Sequence, residues 1–254
     1  FGNFSFKGLV DGKGFRLENI NTQLIGTISQ IEFNKYNYQN ITVNGLYQNN
    51  LFNDKLGFVD DNLNGTFEGL ADLSEEINKF DFKTTINYAN LRALNLYSRD
   101  SISELSGVID LDLTGDKLDN IIGIANFKNI EYTNEKEVYP FKQFLIISTL
   151  NNRVRQIRID SEDIIKGELI GDFKFEEMLP LAQNALGSMY SNYTPYEVSL
   201  NQFLKFDFVI YNKIVDVFYP EISVAPGTKI IGSIKSDDNQ LKVKINSPKI
   251  TAFE

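Results

Sequence analysis

Apolar and polar residues alternate with period two along most of this chain. Phe80, Phe82, Thr84, Ile86 and Tyr88 fall on one side of such a run, and Asp81, Lys83, Thr85 and Asn87 on the other. Ile109, Leu111 and Leu113 alternate with Asp110, Asp112 and Thr114. The pattern returns at Phe173 and Phe175, at Phe206, Phe208 and Ile210, and at Leu241, Val243 and Ile245. Successive side chains of a strand point to opposite faces, so each run predicts a strand with one dry and one wet face. The 20 Phe and 12 Tyr residues agree with this, because aromatic and β-branched side chains suit a pleated, half-buried surface.

Gly- and Asn-rich breaks recur roughly every 8–12 residues, the spacing of a meander, a sandwich or a stacked β-architecture. Asp11-Gly12-Lys13-Gly14, Asn64-Gly65, Thr114-Gly115-Asp116 and Pro226-Gly227 are read as such breaks. A degenerate tetrapeptide also repeats, as Leu17-Glu18-Asn19-Ile20, Tyr38-Gln39-Asn40-Ile41, Leu118-Asp119-Asn120-Ile121 and Phe127-Lys128-Asn129-Ile130. Its Asn tolerates the left-handed conformation a corner needs, and its Ile opens the next inward-facing run. One segment departs from the pattern: Leu179, Ala182, Leu186, Met189, Tyr190 and Tyr193 fall at helical spacing. Glu176 and Glu177 suit the positive end of a helix dipole, and Pro180 is tolerated in the first turn. The organisation expected is therefore a strand array over 1–175, a helical insertion over 176–194 and a resumed array over 195–254.

Little reactive chemistry is available. The chain has no His and no Cys, which removes Ser-His-Asp and Cys-His constellations and thiolate or imidazole metal sites. Asp60, Asn62, Asn64 and Gly65 match the opening of a calcium loop, but Ala71 stands where the bidentate Glu belongs, so a polar hairpin is the reading. Asp110 and Asp112 fall on the wet side of their strand. No catalytic residue, metal or cofactor is expected, and the chain is read as non-enzymatic. A net charge of −9 with scattered Lys and Arg offers no stripe for nucleic acid. On pattern alone, the stripes of Phe, Ile and Leu read as the core of an ordinary sandwich.

Further stretches carry a resemblance. They include Ile31-Glu32-Phe33-Asn34-Lys35-Tyr36-Asn37-Tyr38-Gln39-Asn40-Ile41 followed by Gly45, Asp60-Asp61-Asn62-Leu63 followed by Phe67 and Gly69, Ile159-Asp160-Ser161 followed by Gly167 and Gly171, and Val224-Ala225-Pro226-Gly227-Thr228 with Gly232. In style and spacing the chain resembles the TamB family of AsmA-like envelope proteins, Bacteroidetes-type, as an internal segment. The resemblance implies an elongated, mainly β, curled sheet forming an open groove (a β-taco), with one inserted amphipathic helix. It implies residence in the periplasm of a Gram-negative bacterium, anchored in the inner membrane by a segment outside this chain. It also implies a partner, an outer-membrane barrel of the BamA superfamily (TamA-like), and a cargo of phospholipid acyl chains.

Under that reading the groove lining is Phe80, Phe82, Ile86, Ile109, Leu111, Leu113, Phe173, Phe175, Phe206, Phe208, Ile210, Leu241, Val243 and Ile245. Leu179, Leu186 and Tyr190 are the residues expected to pack the helix or cap the groove, the simpler expectation being that the helix covers an edge strand. Burying a methylene gains about 0.8 kcal/mol, so a bare 16-carbon chain in water costs on the order of 13 kcal/mol. A dry trough free of internal charge would remove that barrier. The alternatives are an outer-membrane protein assembly scaffold that pairs its edges with client strands, and a secreted β-solenoid with a sealed interior.

Overall fold

The computed structural model describes residues 2–14, 16, 19–187, 192–211, 222–237 and 240–252. Among them are sixteen strands: β1 (Phe4–Lys13), β2 (Asn21–Phe33), β3 (Tyr36–Gln48), β4 (Leu51–Asp60), β5 (Leu63–Asp72), β6 (Lys79–Asn90), β7 (Ser103–Thr114) and β8 (Ile122–Asn134). Then follow β9 (Val138–Asn151), β10 (Val154–Asp160), β11 (Ile165–Asp172), β12 (Phe203–Ile210), β13 (Ile222–Val224), β14 (Thr228–Lys235), β15 (Gln240–Asn246) and β16 (Ile250–Ala252). One α-helix, α1 (Met178–Gly187), interrupts them, preceded by a 3-10 turn at Phe175–Glu177.

Fourteen strands form one open antiparallel sheet in chain order, from β1 to β12 and on to β14 and β15, while β13 pairs with β16. A meander of this kind is neither the sandwich favoured by pattern alone nor a parallel solenoid.

Two-residue hairpins drive the meander. Asn34-Lys35, Asn49-Asn50 and Asn152-Arg153 each carry positive φ at both residues. This is the type I′ turn whose twist matches the flanking strands. Some expected breaks are instead interior to strands. Asn64-Gly65 lies within β5, at a register shift against β6. In the tetrapeptide repeat, Asn40 and Asn129 do take left-handed φ values (51° and 49°), but inside β3 and β8. They lie within strands where a corner was expected, and the β2–β3 register runs unshifted across Asn40, from Ile28 opposite Ile41 to Gln30 opposite Gln39. Ile41 and Ile130, which follow them, are buried.

The chain packs as two compact units, residues 1–115 with 125–143 and residues 116–124 with 144–254. In the first unit the ladder registers place Val10, Leu24, Gly45, Asp54, Gly69, Phe82 and Leu111 in one cross-strand row. Gly8, Gly26, Val43, Leu56, Phe67, Thr84 and Ile109 form the next row on the same face. The opposite face carries alternating charge: Lys55, Glu68, Lys83 and Asp110 face one another in turn, and Lys128 Nζ reaches Asp110 Oδ2 at 2.6 Å. Such exposed pairs contribute at most about 1 kcal/mol each, but like charges in their place would repel.

The loop 91–102 folds over one end of this unit. Asn95 exchanges hydrogen bonds with Asn34, donating at 3.1 Å and accepting at 2.7 Å. Leu94 is buried, and Asp100 accepts from the Tyr132 hydroxyl at 2.6 Å.

In the second unit the dry face runs through Ile157, Leu169, Phe206, Gly232 and Val243, with Leu204, Ile234 and Leu241 in the adjoining row. Its core is Phe173, Leu181, Ala185, Leu204 and Ile234, so α1 sits on the dry face of the sheet. The helix was expected to cover an edge, and it packs over β14 and the last strand of the sheet, β15, with Leu204 of β12 in the same core. It is also shorter than the sequence spacing implies. Described residues from 192 onward are not helical, and Thr194-Pro195 disfavours continuation.

Candidate functional site: the apolar face of the sheet

A sandwich core would bury its inward side chains fully. Here Phe80, Phe82, Ile86, Ile109, Leu111 and Leu113 share one face of β6 and β7 and are all only half-buried. In the second unit Phe206, Phe208 and Leu241 are half-buried, and Val243 and Ile245 are exposed at 46% and 51%. Ile210 is buried at 4%. The expected lining residues of the ladders thus do lie on the dry faces of their units. Phe173 and Phe175 differ: one follows β11 and the other sits in the 3-10 turn, so neither is a strand residue. They meet edge to face with ring centres 5.4 Å apart, and both pack against the α1 cluster.

The helix candidates face the wrong way. Leu179 and Leu186 are exposed at 67% and 52%, whereas Leu181 and Ala185 are buried at 2% and 1%. The segment carries apolar residues on two sides. The stripe with Ala182 and Ala185 faces the sheet because small side chains let the helix approach closely. Tyr190 lies outside the described residues.

Several glycines within the strands prove to be floor residues. A Cβ at Gly69 would come within 2.4 Å of the Phe82 ring and 2.7 Å of the Phe67 ring. At Gly232 it would meet the Phe206 ring at 2.4 Å, at Gly167 the Phe208 ring at 2.7 Å, and at Gly8 the Phe6 ring at 2.5 Å. In each case atoms of a ring lie over a neighbouring glycine, so the dry face is paved with aromatic surface. The Phe67–Phe82 and Phe80–Phe82 ring centres are 5.2 and 5.7 Å apart. For Gly8 and Gly69 a signal was present in the sequence, an aromatic residue in phase two positions away (Phe6, Phe67), whereas the rings over Gly167 and Gly232 come from the neighbouring strand β12.

Two charged residues break the expectation of a floor free of charge. Asp54 sits between Gly45 and Gly69, and its Oδ1 is buried without a hydrogen-bond partner. Burial pushes its carboxyl above the ordinary range, and the Tyr47 hydroxyl beside it offsets only part of that. Burial and the same carboxylate push the Tyr47 hydroxyl far up in turn.

Arg155 is buried at 2% on the dry face of the second unit, opposite Gly171. It donates to the Ile121 carbonyl at 2.6 Å, to Ser148 Oγ at 2.8 Å and to the Asp119 carbonyl, and stacks 5.0 Å over the Phe175 ring. Burial lowers its pKa, opposed by the nearby Asp119 carboxylate. These partners tie the 119–121 turn to the floor beneath α1.

The calcium-like hairpin has a structural use. The Asp60 carboxylate accepts from the Tyr36 hydroxyl, from the Gln39 amide at 2.9 Å and from the Asn62 amide at 2.9 Å. Asn64 Oδ1 accepts from Asn87 Nδ2 at 2.8 Å. The loop's oxygens are therefore engaged in fastening β3 to the β4–β5 turn.

No protein-family model matches the chain, and neither does any curated protein or solved structure. No helix among the described residues is long and apolar enough to cross a membrane.

Proposed function

We propose that this chain is a non-enzymatic carrier of acyl chains, its paved dry faces holding phospholipid tails out of water. The observation that carries the reading is the half-exposed state of the floor. Phe82, Leu111 and Phe206 stay open to a guest, although their strands are fully paired. A hydrocarbon tail laid on such a surface recovers about 0.8 kcal/mol per methylene removed from water. In the wider setting implied by the TamB resemblance, the chain is a segment of a periplasmic bridge. It is anchored in the inner membrane elsewhere in the protein, meets a BamA-superfamily barrel in the outer membrane and passes phospholipid between the two.

The experiment is transfer of a fluorescent phospholipid from donor to acceptor vesicles by the chain, with and without Leu111→Arg. The reading expects transfer to fall sharply while the fold persists, because a half-open face leaves the guanidinium hydrated. Undiminished transfer by a folded variant sinks it.

A second reading, assistance to outer-membrane protein assembly, draws on the edge strand. β1 pairs only with β2, and Phe4, Leu9 and Val10 on it are 60–62% exposed. An extended client segment could add to that edge through main-chain hydrogen bonds. Crosslinks from β1 to client strands, in the absence of acyl adducts on the floor, would favour it.

A further inference from the structure

The acyl-carrying reading leaves α1 in the way of the cargo, and the geometry around it explains how. Resting on that reading, we propose that α1 is a displaceable plug. Its Leu181–Ala185 stripe occupies the stretch of floor made by Leu204, Ile234 and Leu241, which an acyl chain takes when the helix lifts.

Three observations support this. The first is that the seat is apolar: Leu181 and Ala185 are buried in the cluster with Leu204 and Ile234, and Met178, Ala182 and Leu241 pack against it. The second is that α1 is fastened to its own return segment. Its buried polar side chain, Asn184, donates to the Tyr196 carbonyl at 2.9 Å and accepts from the Tyr196 amide at 2.8 Å and the Tyr193 hydroxyl at 3.0 Å. At the helix start, Glu177 accepts from the Ser199 amide at 2.6 Å and from Gln202 Nε2 at 2.7 Å. The Asn184 and Ser199 bonds can therefore travel with helix and return segment, whereas lifting must release Gln202, whose main-chain amide donates to Ser236 Oγ at 2.9 Å at the foot of β12.

The third observation is the outer stripe. Leu179 and Leu186 stand exposed on the far side of α1, with Tyr196 and Leu200 exposed on the return segment. A helix apolar on both sides is suited to leave one dry surface for another, such as the acyl chain that replaces it. A ten-residue helix is too short to hold its form alone in water, so its stability depends on having such a surface.

The test uses palmitate carrying a terminal diazirine, with photo-adducts mapped by mass spectrometry at the seat residues of β12, β14 and β15, Leu204, Ile234 and Leu241, and, as the internal reference, on β6 and β7. Ala185→Glu drives a charge into the seat without altering any strand residue, and hydrogen exchange over 178–187 verifies release. Adducts at the seat residues should rise about fivefold or more, as expected when the competent state goes from a minority to the dominant population. The pair Ala185→Cys with Ile234→Cys, unique in a chain without cysteine, should lower those adducts when oxidised and restore them on reduction. Adducts on β6 and β7 should stay constant throughout. If the seat residues label equally in released, locked and parent chains while β6 and β7 label normally, the plug is wrong and the carrier reading stands. Absence of adducts everywhere overturns both.

Discussion

Asp54 lies directly across the ladder from Gly45, its carboxylate filling the space where a side chain on β3 would stand. A Cβ at Gly45 would fall 1.9 Å from Asp54 Oδ1, so the acid can occupy the floor only because its neighbour is glycine. The buried, unpartnered oxygen is a cost that the fold tolerates.

That cost is testable. The folded-state pKa of Asp54 is raised, so the native chain binds its proton more tightly than the unfolded chain does. Stability from this group is therefore greatest in acid and falls as the pH rises from about 4 through the native value. Asp54→Asn should remove that slope and raise stability at pH 7 by about 1 kcal/mol. Thermal unfolding of both chains between pH 4 and 8 checks it; parallel curves would place the carboxylate in contact with water.

The paved floor makes a contrast between two glycines. A Cβ at Gly69 meets only ring atoms, of Phe82 and Phe67, which can swing away. At Gly232 it also meets the Lys242 carbonyl at 2.6 Å, which cannot move without the strand. Gly69→Ala should cost less than about 1 kcal/mol and Gly232→Ala about 1–3 kcal/mol, by denaturant unfolding. In addition, Gly69→Ala should weaken acyl binding by lifting the rings. Equal costs would mean that the rings over Gly69 yield no more readily than the strand beside Gly232.

Arginine placed at two depths separates an open face from a sealed one. Leu111→Arg on the half-exposed floor should cost about 1–2 kcal/mol. Leu204→Arg, buried at 3% under α1, should cost about 3–5 kcal/mol or prevent folding of its unit. Chemical denaturation followed by circular dichroism gives both numbers.

Glu177 links α1's position to acidity. Hydrogen bonds from the Ser199 amide and hydroxyl, from Gln202 and from Lys174 hold its carboxyl down at about 2. The stability it supplies is present above its unfolded pKa near 4.5 and drains away as the pH falls toward 2. Hydrogen-exchange protection factors over 174–187 and 192–202, taken relative to the intrinsic rate at each pH, should fall across that interval, and Glu177→Gln should abolish the dependence. Protection independent of pH would show that the apolar seat alone holds the segment.

How much of this could be read from the residues depends on whether a signal was periodic or relational. Alternation at Phe80–Ile86 and Ile109–Thr114 placed both strands and their dry faces. Tyr88 was misplaced, because β6 slips register after Ile86 and pairs Tyr88 with Asn64, next to the Gly65 that pairs with Ile86. The faces of α1 were misassigned because Leu179/Leu186 and Leu181/Ala185 are both apolar stripes. Only the seat on β14 and β15, more than forty residues further along the sequence, selects the second. The glycine paving went unread, because the rings over Gly167 and Gly232 belong to the neighbouring strand β12 and meet them only through the pairing. Arg155 was not legible at all: its partners at 119, 121 and 148 come together only through the fold.

The account stands or falls on where hydrocarbon binds. Photoactivatable residues placed at Phe82 and Phe206 face the dry side, and the same probes at Lys83 and Lys205 face the wet side of the same strands. After incubation with phospholipid vesicles and irradiation, lipid adducts should form at Phe82 and Phe206 and stay near background at the two lysine positions. Equal labelling of both faces, or no adducts at the floor positions of a folded chain, would contradict it.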